Sequence, residues 1–560
     1  MFGYVHRYLV RYLASNDQSY LSGSLPGNES GSVPRSLPSC NPHSRPSSFP
    51  NPSAGNLVTN LPSFLERNEE GPGARHELQK LFSPALAYGF DKKELVPTLS
   101  DQKMDDLKPF LADVLNGLSS EYADIRIGES EQARVVHSGR EFYEVGKAFE
   151  RGGCIRVFHR GNWGSASFRR VDDKLKELAR DVAAAVEARP ARPETLGELP
   201  AFSDSVTVPE DDDPRKVPLD EKHALIRHYN DILLKTPGIA TTELRYNDAF
   251  RETAFLSSDG RFITQASVYT SFSCRAVARD GANVRDYSDS FGKTQSFASL
   301  ANREPMVERV AKVALDLLKA EPVPAGKYDI IIDQELAGAL AQEAFGHLTE
   351  ADMLSKNERL RELMKVGTRH GVDDLTIVDD GTMPGERGSF RFDDEGIEAE
   401  RTELIKDGRI VGHLHDRQSA QRMGEKTTGN ARAVSCRFAP TVRMSNTYIE
   451  PRSANIEDML ESVKRGLYVC GSRGGMIQLD SFTFSPQYAW LVEGGRQRKL
   501  LRDVTLSGNI FDTLKGIDMI GDDLVMFGRL DGRGKVGQSP LPVGFGAPHV
   551  LMRNVVIGGR

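Results

Sequence analysis

The feature that most constrains this chain is a strongly helical run, residues 335–356, that directly follows an apolar, strand-like segment. An ideal helix turns about 100° per residue, so Leu336, Leu340, Glu343 and His347 fall on one stripe. This stripe mixes leucines with a carboxylate and an imidazole. Burying those two polar groups is costly unless they pair with each other or bind something.

Two interpretations of this polar pair are compatible with the spacing. In the first, Glu343 and His347 form a hydrogen-bonded i, i+4 pair with a structural role. In the second, His347 is a metal ligand and Glu343 is a general base that takes a proton from a metal-polarised water. Glu350 lies three residues after His347 and can reach the same side of the helix, so it is a third member of the candidate site.

Composition narrows the class of protein that carries this helix. With 560 residues, of which 39% are hydrophobic and 27% charged, the chain is typical of a soluble globular protein with two or three domains. No apolar run approaches the roughly 20 residues needed to cross a bilayer, which argues against a membrane protein. The formal net charge of -7 argues against nucleic acid as a partner. Five scattered cysteines without a C-x-x-C pair indicate a reducing compartment.

The chain divides into three parts by composition. Residues 1–75 are rich in Ser and Pro, which predicts a disordered extension, either inert or a targeting segment. Two prolines and a glycine within residues 321–326 mark a boundary between ordered domains. The N-terminal domain is predicted over residues 76–320 and the C-terminal domain over residues 327–560. The mixture of helices and strands predicts an α+β fold.

Periodicity predicts the main elements of both domains. In the N-terminal domain, strands are predicted at 122–127, at 154–158 and over 239–278 with a turn at 259–260, and helices at 172–188, 220–235 and 305–320. In the C-terminal domain, strands are predicted at 328–332, 375–379, 408–415, 442–449, 482–492 and 500–506. Its helices are the motif helix, with helical character to about residue 364, and 456–464.

The motif helix resembles the signature helix of the TldD/PmbA family of metallopeptidases, whose catalytic members carry H-E-x-x-x-H. Here the motif is Gln342-Glu343-Ala344-Phe345-Gly346-His347. Further blocks that resemble the family follow in order from about residue 110 to the C-terminus: 122–126, 153–167, 392–396, 428–432, 443–448 and 537–544. The resemblance implies an N-terminal α/β domain with a curved antiparallel sheet and a mainly β C-terminal domain that carries the motif helix.

Two of the three metal ligands of the family are replaced in this chain. Gln342 stands in place of the first histidine, and a carboxamide oxygen is a weaker zinc ligand than an imidazole nitrogen. The family's third ligand is a cysteine in a C-G-K-x-G-Q stretch, which here is Arg533-Gly534-Lys535-Val536-Gly537-Gln538. An arginine offers no lone pair and keeps its positive charge. Arg533 either forms a salt bridge with Glu343 in place of the cation or is an exposed side chain.

The spacing of the family motif also makes a geometric prediction. Ligands at i and i+5 lie about 140° apart on a regular helix, so their convergence requires a distortion such as a single π-type turn. Gly346 would tolerate such a turn. With Gln342 in place of the first ligand, the two positions no longer need to converge on one ion. The pair of Glu343 and His347 is then all that remains of the motif.

Other side chains are candidates for the missing ligands. Cys470 is interpreted as a buried thiol rather than a ligand. His413 and His415 share one face of a predicted strand, a spacing that can bind zinc, and two half-exposed strand residues are the simpler explanation. Glu350 ranks above all three, so the candidate metal residues are His347, Gln342 and Glu350.

Two functions are consistent with the resemblance. The first is an active zinc metallopeptidase that hydrolyses unfolded or small peptides, with Glu343 as the base. The second, which the replaced ligands favour, is a non-catalytic subunit that binds peptide or a partner without metal. The family implies a homodimer, or a heterodimer with a TldD/PmbA-like subunit. Arg432 and Arg443 could orient a peptide carboxylate, with structural salt bridges as the alternative. A cytoplasmic location is expected if residues 1–75 are inert.

Overall fold

The computed structural model describes residues 104–478 and 480–558. The extension predicted to be disordered, residues 1–75, lies outside the described residues. Helices and largely antiparallel sheets are both extensive in the described part, which confirms the α+β prediction. Within these two ranges, no helix combines the length and the apolar character that a membrane span requires.

The N-terminal half is built on a seven-stranded sheet. Its strands are β1 (Tyr122–Ser138), β2 (Glu141–His159), β3 (Asn162–Phe168), β4 (Phe202–Val206), β5 (Ile239–Ser257), β6 (Arg261–Asp280) and β7 (Asn283–Lys293). They run in the order β3-β2-β1-β5-β6-β4, with β7 also paired to β6. Every pairing is antiparallel except that of β4 with β6. Gly260, with a φ of 88°, forms the turn predicted between β5 and β6.

Helices cover one face of this sheet. They are α1 (Lys108–Asn116), α2 (Lys174–Glu187), α3 (Leu219–Lys235) and α4 (Glu304–Leu317), and the last three confirm predicted helices. On β1, the residues in the apolar clusters with these helices include Ile125, Ile127 and Val135. All three are odd-numbered, and alternate residues of a strand point to the same face. Both helix pairs therefore cover the same face, at different positions along the strands.

The opposite face of the sheet contacts the C-terminal half through buried ion pairs. Arg126 places Nη1 2.8 Å from a carboxylate oxygen of Asp394. Arg156 lies 2.6 Å from Asp124 on the neighbouring strand and 3.0 Å from Glu395. A buried arginine is tolerated when carboxylates neutralise it and accept its hydrogen bonds. The helices already cover the apolar face of the sheet, so the C-terminal half packs on the other face. The ion pairs help to fix its orientation there.

The C-terminal half is mainly β. Its strands are β8 (Glu321–Pro322), β9 (Gly326–Ile332), β10 (Ile377–Asp380), β11 (Arg401–Lys406), β12 (Arg409–Ile410), β13 (Ala431–Arg432), β14 (Thr441–Val442), β15 (Asn446–Ile449), β16 (Arg465–Gln478), β17 (Ser481–Glu493), β18 (Arg496–Arg502), β19 (Thr505–Asn509), β20 (Ile517–Ile520), β21 (Val525–Gly528), β22 (Arg533–Lys535), β23 (Gln538–Leu541), β24 (Gly544–Ala547) and β25 (Val550–Gly558). A six-stranded sheet has the order β12-β11-β10-β15-β24-β21. An eight-stranded sheet contains the order β16-β9-β25-β19-β17. In this sheet β17 also pairs with β16.

The helices of this half are short. They are α5 (Gln334–Ala341), α6 (Ala351–Leu354), α7 (Glu358–Leu363), α8 (Arg417–Met423), α9 (Ile456–Ser462) and α10 (Ile510–Lys515). α5 packs between the two larger sheets, against β15 and β24 on one side and β16 on the other. Asp333 caps it, because its carboxylate accepts the backbone N–H of Leu336 at 2.9 Å. The cap fixes where the motif helix begins.

The motif helix is shorter than the predicted range of 335–356. After α5 the chain makes a π turn over Gln342–Gly346, and Glu350 is extended, with φ -68° and ψ 106°. The backbone N–H of Leu414 donates to the carbonyl of Thr349 at 3.0 Å. The carbonyl of Leu414 accepts the N–H of residue 351 at 3.0 Å. This tertiary pairing takes the backbone groups that a continuing helix would use.

The same contact explains a wrong strand boundary. The strand predicted over 408–415 is formed only at Arg409–Ile410. Leu414 makes an isolated bridge with Glu350 instead of continuing a ladder with β11. Residues 413–415 therefore lie against the end of the motif helix, a position that their alternating pattern does not reveal.

Candidate functional site

The candidate site is built on the π turn of the motif helix. The five residues Gln342–Gly346 form this turn directly after α5, so the distortion that the i, i+5 spacing of the family motif requires is present, although Gln342 relaxes that requirement. At Gly346, an added Cβ would lie 2.9 Å from Met444 Sδ and 3.2 Å from Thr447 Oγ1. An alanine at this position would therefore require the side chain of Met444 to shift. The distorted helix is retained although Gln342 has replaced a ligand.

A short hairpin brings two cations to this helix. β22 and β23 pair antiparallel, and the turn between them has positive φ at Val536 (50°) and Gly537 (73°). Arg533 and Lys535 lie two positions apart on β22. Arg533 reaches the π turn, and Lys535 reaches the segment just beyond it. The hairpin thus supplies positive charge at two points of the motif.

Arg533 occupies the position next to the carboxylate of the motif. Its Nη1 lies 2.6 Å from Glu343 Oε1, and its Nε–H donates to Gln342 Oε1 at 2.8 Å. The amide nitrogen of Gln342 donates to the carbonyl of Gly544 at 2.7 Å. The predicted salt bridge between Arg533 and Glu343 is therefore confirmed. The alternative of an exposed arginine is wrong, because only 26% of the Arg533 side chain is exposed to solvent.

The ion pair of Arg533 and Glu343 is partly shielded from solvent. Burial lowers the pKa of Arg533, and the negative charge of Glu343 acts in the opposite direction. An arginine remains protonated under such conditions because its usual pKa lies far above neutrality. The side chain of Glu343 is 14% exposed. A fixed positive charge therefore faces the carboxylate that would serve as the general base.

Glu350 is surrounded by three basic side chains. It is 0% exposed, and its carboxylate lies 2.9 Å from Lys535 Nζ, 3.3 Å from His347 Nδ1 and 3.8 Å from Arg443 Nε. Burial alone would raise the pKa of Glu350, but His347 and Lys535 hold it below its usual range. Lys535 also lies 2.6 Å from Asp352. Oε2 of Glu350 is thus paired with Lys535 and His347, whereas Oε1 faces Arg443 at 3.8 Å without a hydrogen bond.

His347 stands between two carboxylates of the motif. Its Nδ1 faces Glu350, and its Nε2 lies 4.0 Å from Glu343 Oε2. The imidazole is 25% exposed, so one side of the site is open to solvent. Of the sequence-predicted site residues, Gln342, Glu343, His347 and Glu350 therefore do lie together around the π turn.

The residues around the π turn do not fit the zinc ion that the motif implies. The oxygen of Gln342 accepts the hydrogen bond of Arg533, so its lone pairs face a guanidinium. Glu350 already has cationic partners. A divalent cation near Glu343 would also lie close to the positive charge of Arg533, and like charges repel strongly where water is partly excluded. His347 is the one nitrogen donor of the zinc type in this set, and the carboxylates of Glu343 and Glu350 already face basic side chains.

The two arginines predicted to contact substrate are buried. Arg432 donates to the carbonyls of Met444 and Pro542 at 2.7 and 2.9 Å, and it lines a cavity with Tyr269 and Leu541. Arg443 is 1% exposed and faces Glu350. These backbone bonds and this ion pair show that both arginines have structural contacts. A role in binding a peptide carboxylate stays a prediction.

The other candidate ligands divide into two groups. Cys470 is 3% exposed, and burial raises the pKa of its thiol, as expected of an inert cysteine. His413 and His415 are 3% and 1% exposed, so the interpretation as half-exposed strand residues is wrong. Both imidazoles meet the carboxylate of Glu425, at 2.9 and 3.1 Å.

Sequence reasoning missed two residues of these clusters. Lys535 is the nearest cation to Glu350, and its place two positions after Arg533 on one strand was a usable signal. Glu425 lies ten residues after His415 on the far side of α8, and no local periodicity relates the two. Contacts of that kind depend on how the helix folds back.

Comparisons with known proteins agree with this architecture. The PmbA/TldA metallopeptidase domain 1 matches residues 123–189, the central domain matches 212–318 and the C-terminal domain matches 325–559. Metalloprotease slr0863 of Synechocystis sp. is 36% identical over 441 residues, which cover 79% of this chain and 95% of that protein. Zinc metalloprotease TldD homolog of Saccharolobus solfataricus is 27% identical over 447 residues, covering 79% and 97%.

A solved structure supports the fold. TldE from Thermococcus kodakarensis superposes with a TM-score of 0.67 at 18% identity, over 81% of this chain and 100% of that chain. At this identity the similarity concerns the fold alone. The three matched domains and the alignment over nearly the whole length of the Synechocystis relative are decisive: the chain belongs to the TldD/PmbA family of metallopeptidases.

Proposed function

We propose that this chain is a non-catalytic member of its family, a subunit that keeps the fold and binds a peptide or a partner subunit without metal in the motif. The observation that carries this proposal is the contact of Arg533 with both Glu343 and Gln342. A guanidinium in this position supplies the charge that a metal ion would otherwise provide. It also holds the carboxylate in a fixed geometry.

The chemistry of the remaining residues supports the same conclusion. A general base needs a free lone pair directed at the proton that it removes. One oxygen of Glu343 is paired with Arg533, and the other faces His347 at 4.0 Å. Arg533, the cation nearest to Glu343, is engaged by Glu343 and Gln342 and is not directed at a scissile carbonyl or a water. The site is therefore better suited to binding than to hydrolysis.

The partner and the ligand follow from the family. A homodimer, or a heterodimer with a TldD/PmbA-like subunit, is proposed because the fold is shared with TldE, a member of that group. An extended peptide is the proposed ligand, and Arg432, beside Tyr269 and Leu541 in an open cavity, is its proposed contact for a carboxylate. Arg443 is kept as a secondary candidate. A cytoplasmic location stays a prediction.

The alternative is an active zinc metallopeptidase. Glu343 and His347 are retained within 4.0 Å of each other, and similar proteins carry the names metalloprotease and zinc metalloprotease. In this alternative Arg533 would have to move away, and His347 would hold the ion, which would activate water for hydrolysis of peptide bonds.

The test asks whether the protein binds zinc through His347. Full-length wild type and His347→Ala are purified from zinc-replete medium, and bound zinc and hydrolysis of fluorescently labelled unfolded casein are measured. We expect no difference in zinc between the two and no hydrolysis by either. One zinc per chain that disappears on His347→Ala, together with hydrolysis that the same substitution abolishes, would establish the enzyme instead.

A second variant tests the cause. Gln342→His combined with Arg533→Cys restores the ligand types of the family motif on a helix that still has its π turn. We expect this double variant to gain about one zinc per chain, and His347→Ala added to it should remove that zinc. A double variant that still binds none would show that the two substituted positions are not what excludes the metal.

A further inference from the structure

Outside the motif, two histidines and a glutamate lie close together near the end of the motif helix. One ligand atom from each of His413, His415 and Glu425 lies within 4.8 Å of the others. His413 Nδ1 is 2.9 Å from Glu425 Oε1, and His415 Nε2 is 3.1 Å from Glu425 Oε2. Both imidazoles are buried, and 27% of the Glu425 side chain is exposed. The cluster therefore has one open side, at the carboxylate.

The second ring nitrogen of each histidine is already committed. His413 Nε2 lies 2.7 Å from the carbonyl of Met364, and a carbonyl can only accept, so Nε2 carries the proton. In the neutral ring, Nδ1 then presents a lone pair to Glu425. His415 Nδ1 lies 3.1 Å from Ser419 Oγ, which can accept its proton because the hydroxyl donates to the carbonyl of Asp416. His415 Nε2 then also presents a lone pair.

With both rings neutral and in these tautomers, electron pairs face one another, whereas a proton on either ring would turn its contact with Glu425 into a charge-assisted hydrogen bond. Two imidazole lone pairs and a carboxylate directed at one point repel unless positive charge lies between them. Zinc sites in proteins have this organisation, in which each histidine ligand donates its other N–H to a carbonyl or a similar acceptor. With zinc–ligand bonds of about 2.0–2.1 Å, donor atoms of a tetrahedral site lie about 3.3 Å apart. The two nitrogen–oxygen separations here are 2.9 and 3.1 Å, and all three ligand atoms lie within 4.8 Å of one another.

We propose that His413, His415 and Glu425 form a binding site for a divalent transition-metal ion of the zinc type. Three protein donors leave a fourth position, which would face the open side and take a water molecule. The site is separate from the π turn, since it uses none of the motif residues. The inference does not depend on the proposed function.

The position of the site indicates what the ion would do. Leu414, between the two histidines, bridges to Glu350 at the end of the motif helix. Glu425 follows α8, and His413 is bonded to the chain after α7 through Met364. An ion held here would join α8 and the chain after α7 to the segment that ends the motif helix. Its role would be to fix this segment beside the candidate site.

The experiment measures metal binding directly. Full-length protein is stripped with a chelator and titrated with Zn²⁺ by calorimetry and with Co²⁺ by absorption, because tetrahedral Co²⁺ absorbs strongly in the visible range. The test variant is Glu425→Gln, which keeps the size of the most exposed ligand, and His413→Gln is the second variant. His347→Ala, in the motif, and His228→Ala, an exposed histidine, are matched controls.

We expect wild type to bind one Zn²⁺ per chain and to give the tetrahedral Co²⁺ spectrum. Glu425→Gln should weaken the affinity at least about tenfold, whereas both control variants should leave it unchanged. Absence of binding by wild type, or binding that Glu425→Gln and folded His413→Gln leave intact, would overturn the proposal. Loss of the ion on His347→Ala alone would assign it to the motif, and so would overturn both this inference and the proposed function.

Discussion

The ion pair of Arg533 makes the sharpest prediction. Arg533→Ala removes a guanidinium that lies 2.6 Å from Glu343 Oε1 and 2.8 Å from Gln342 Oε1. With Arg533 present, Glu343 is 14% exposed and Gln342 is fully buried, so we expect water to replace the lost partner only in part. Breaking a fully buried pair costs about 3–5 kcal/mol, and the partial exposure of this pair reduces the expected loss to about 2 kcal/mol.

The assay uses the two tryptophans of the chain. Trp163→Phe leaves Trp490, on β17 of the C-terminal half, as the fluorescent reporter of urea unfolding. In this background, a double-mutant cycle of Arg533→Ala with Glu343→Gln isolates the pair from other effects of each change. We expect a coupling energy of about 1 kcal/mol.

The control is a substitution outside the ion pair. Arg498→Ala removes an exposed arginine of β18 and should change the free energy of unfolding by less than about 0.5 kcal/mol. A coupling energy below about 0.3 kcal/mol between Arg533 and Glu343 would refute the reasoning. It would mean that the guanidinium does not neutralise the carboxylate of the motif.

Three further substitutions test the surroundings of the site in the same assay. Lys535→Met should destabilise the protein by about 3 kcal/mol, because it leaves the buried carboxylate of Glu350 without its closest cation; a loss below about 1 kcal/mol would contradict this. Gly338→Ala should cost about 2 kcal/mol, since the new Cβ would lie 2.8 Å from the backbone of β24, whereas Gly146→Ala meets no atom within 4 Å and should cost clearly less. Burial, followed by the charge of a neighbouring glutamate, raises the pKa of Asp333 from 3.8 to about 7. Because the folded state keeps a proton that the unfolded chain has released, stability should fall by at most about 4 kcal/mol as the pH rises from about 4 to about 7. Asp333→Asn should remove this slope, and an unchanged slope would assign it to other groups.

Local patterns predicted much of the fold. The stripes at 172–188 and 305–320 became α2 and α4, and the alternating residues after Tyr122 became β1. A π turn of the kind that the i, i+5 spacing of the family motif requires is present, although Gln342 relaxes that requirement. These predictions succeeded because helix periodicity and strand alternation depend on residues a few positions apart. The end of the motif helix was predicted wrongly because Leu414, more than sixty residues further along the chain, takes its backbone hydrogen bonds.

The candidate site shows the same division. The sequence by itself determined which groups are present: a carboxylate and an imidazole on one helix stripe, a carboxamide and a guanidinium in place of two ligands. Only the tertiary structure decided which of them meet. It places Arg533 on Glu343, encloses Glu350 among basic side chains, and joins two histidines to Glu425. The reason is that the strength of an electrostatic interaction depends on distance and on exclusion of water, and folding alone sets both.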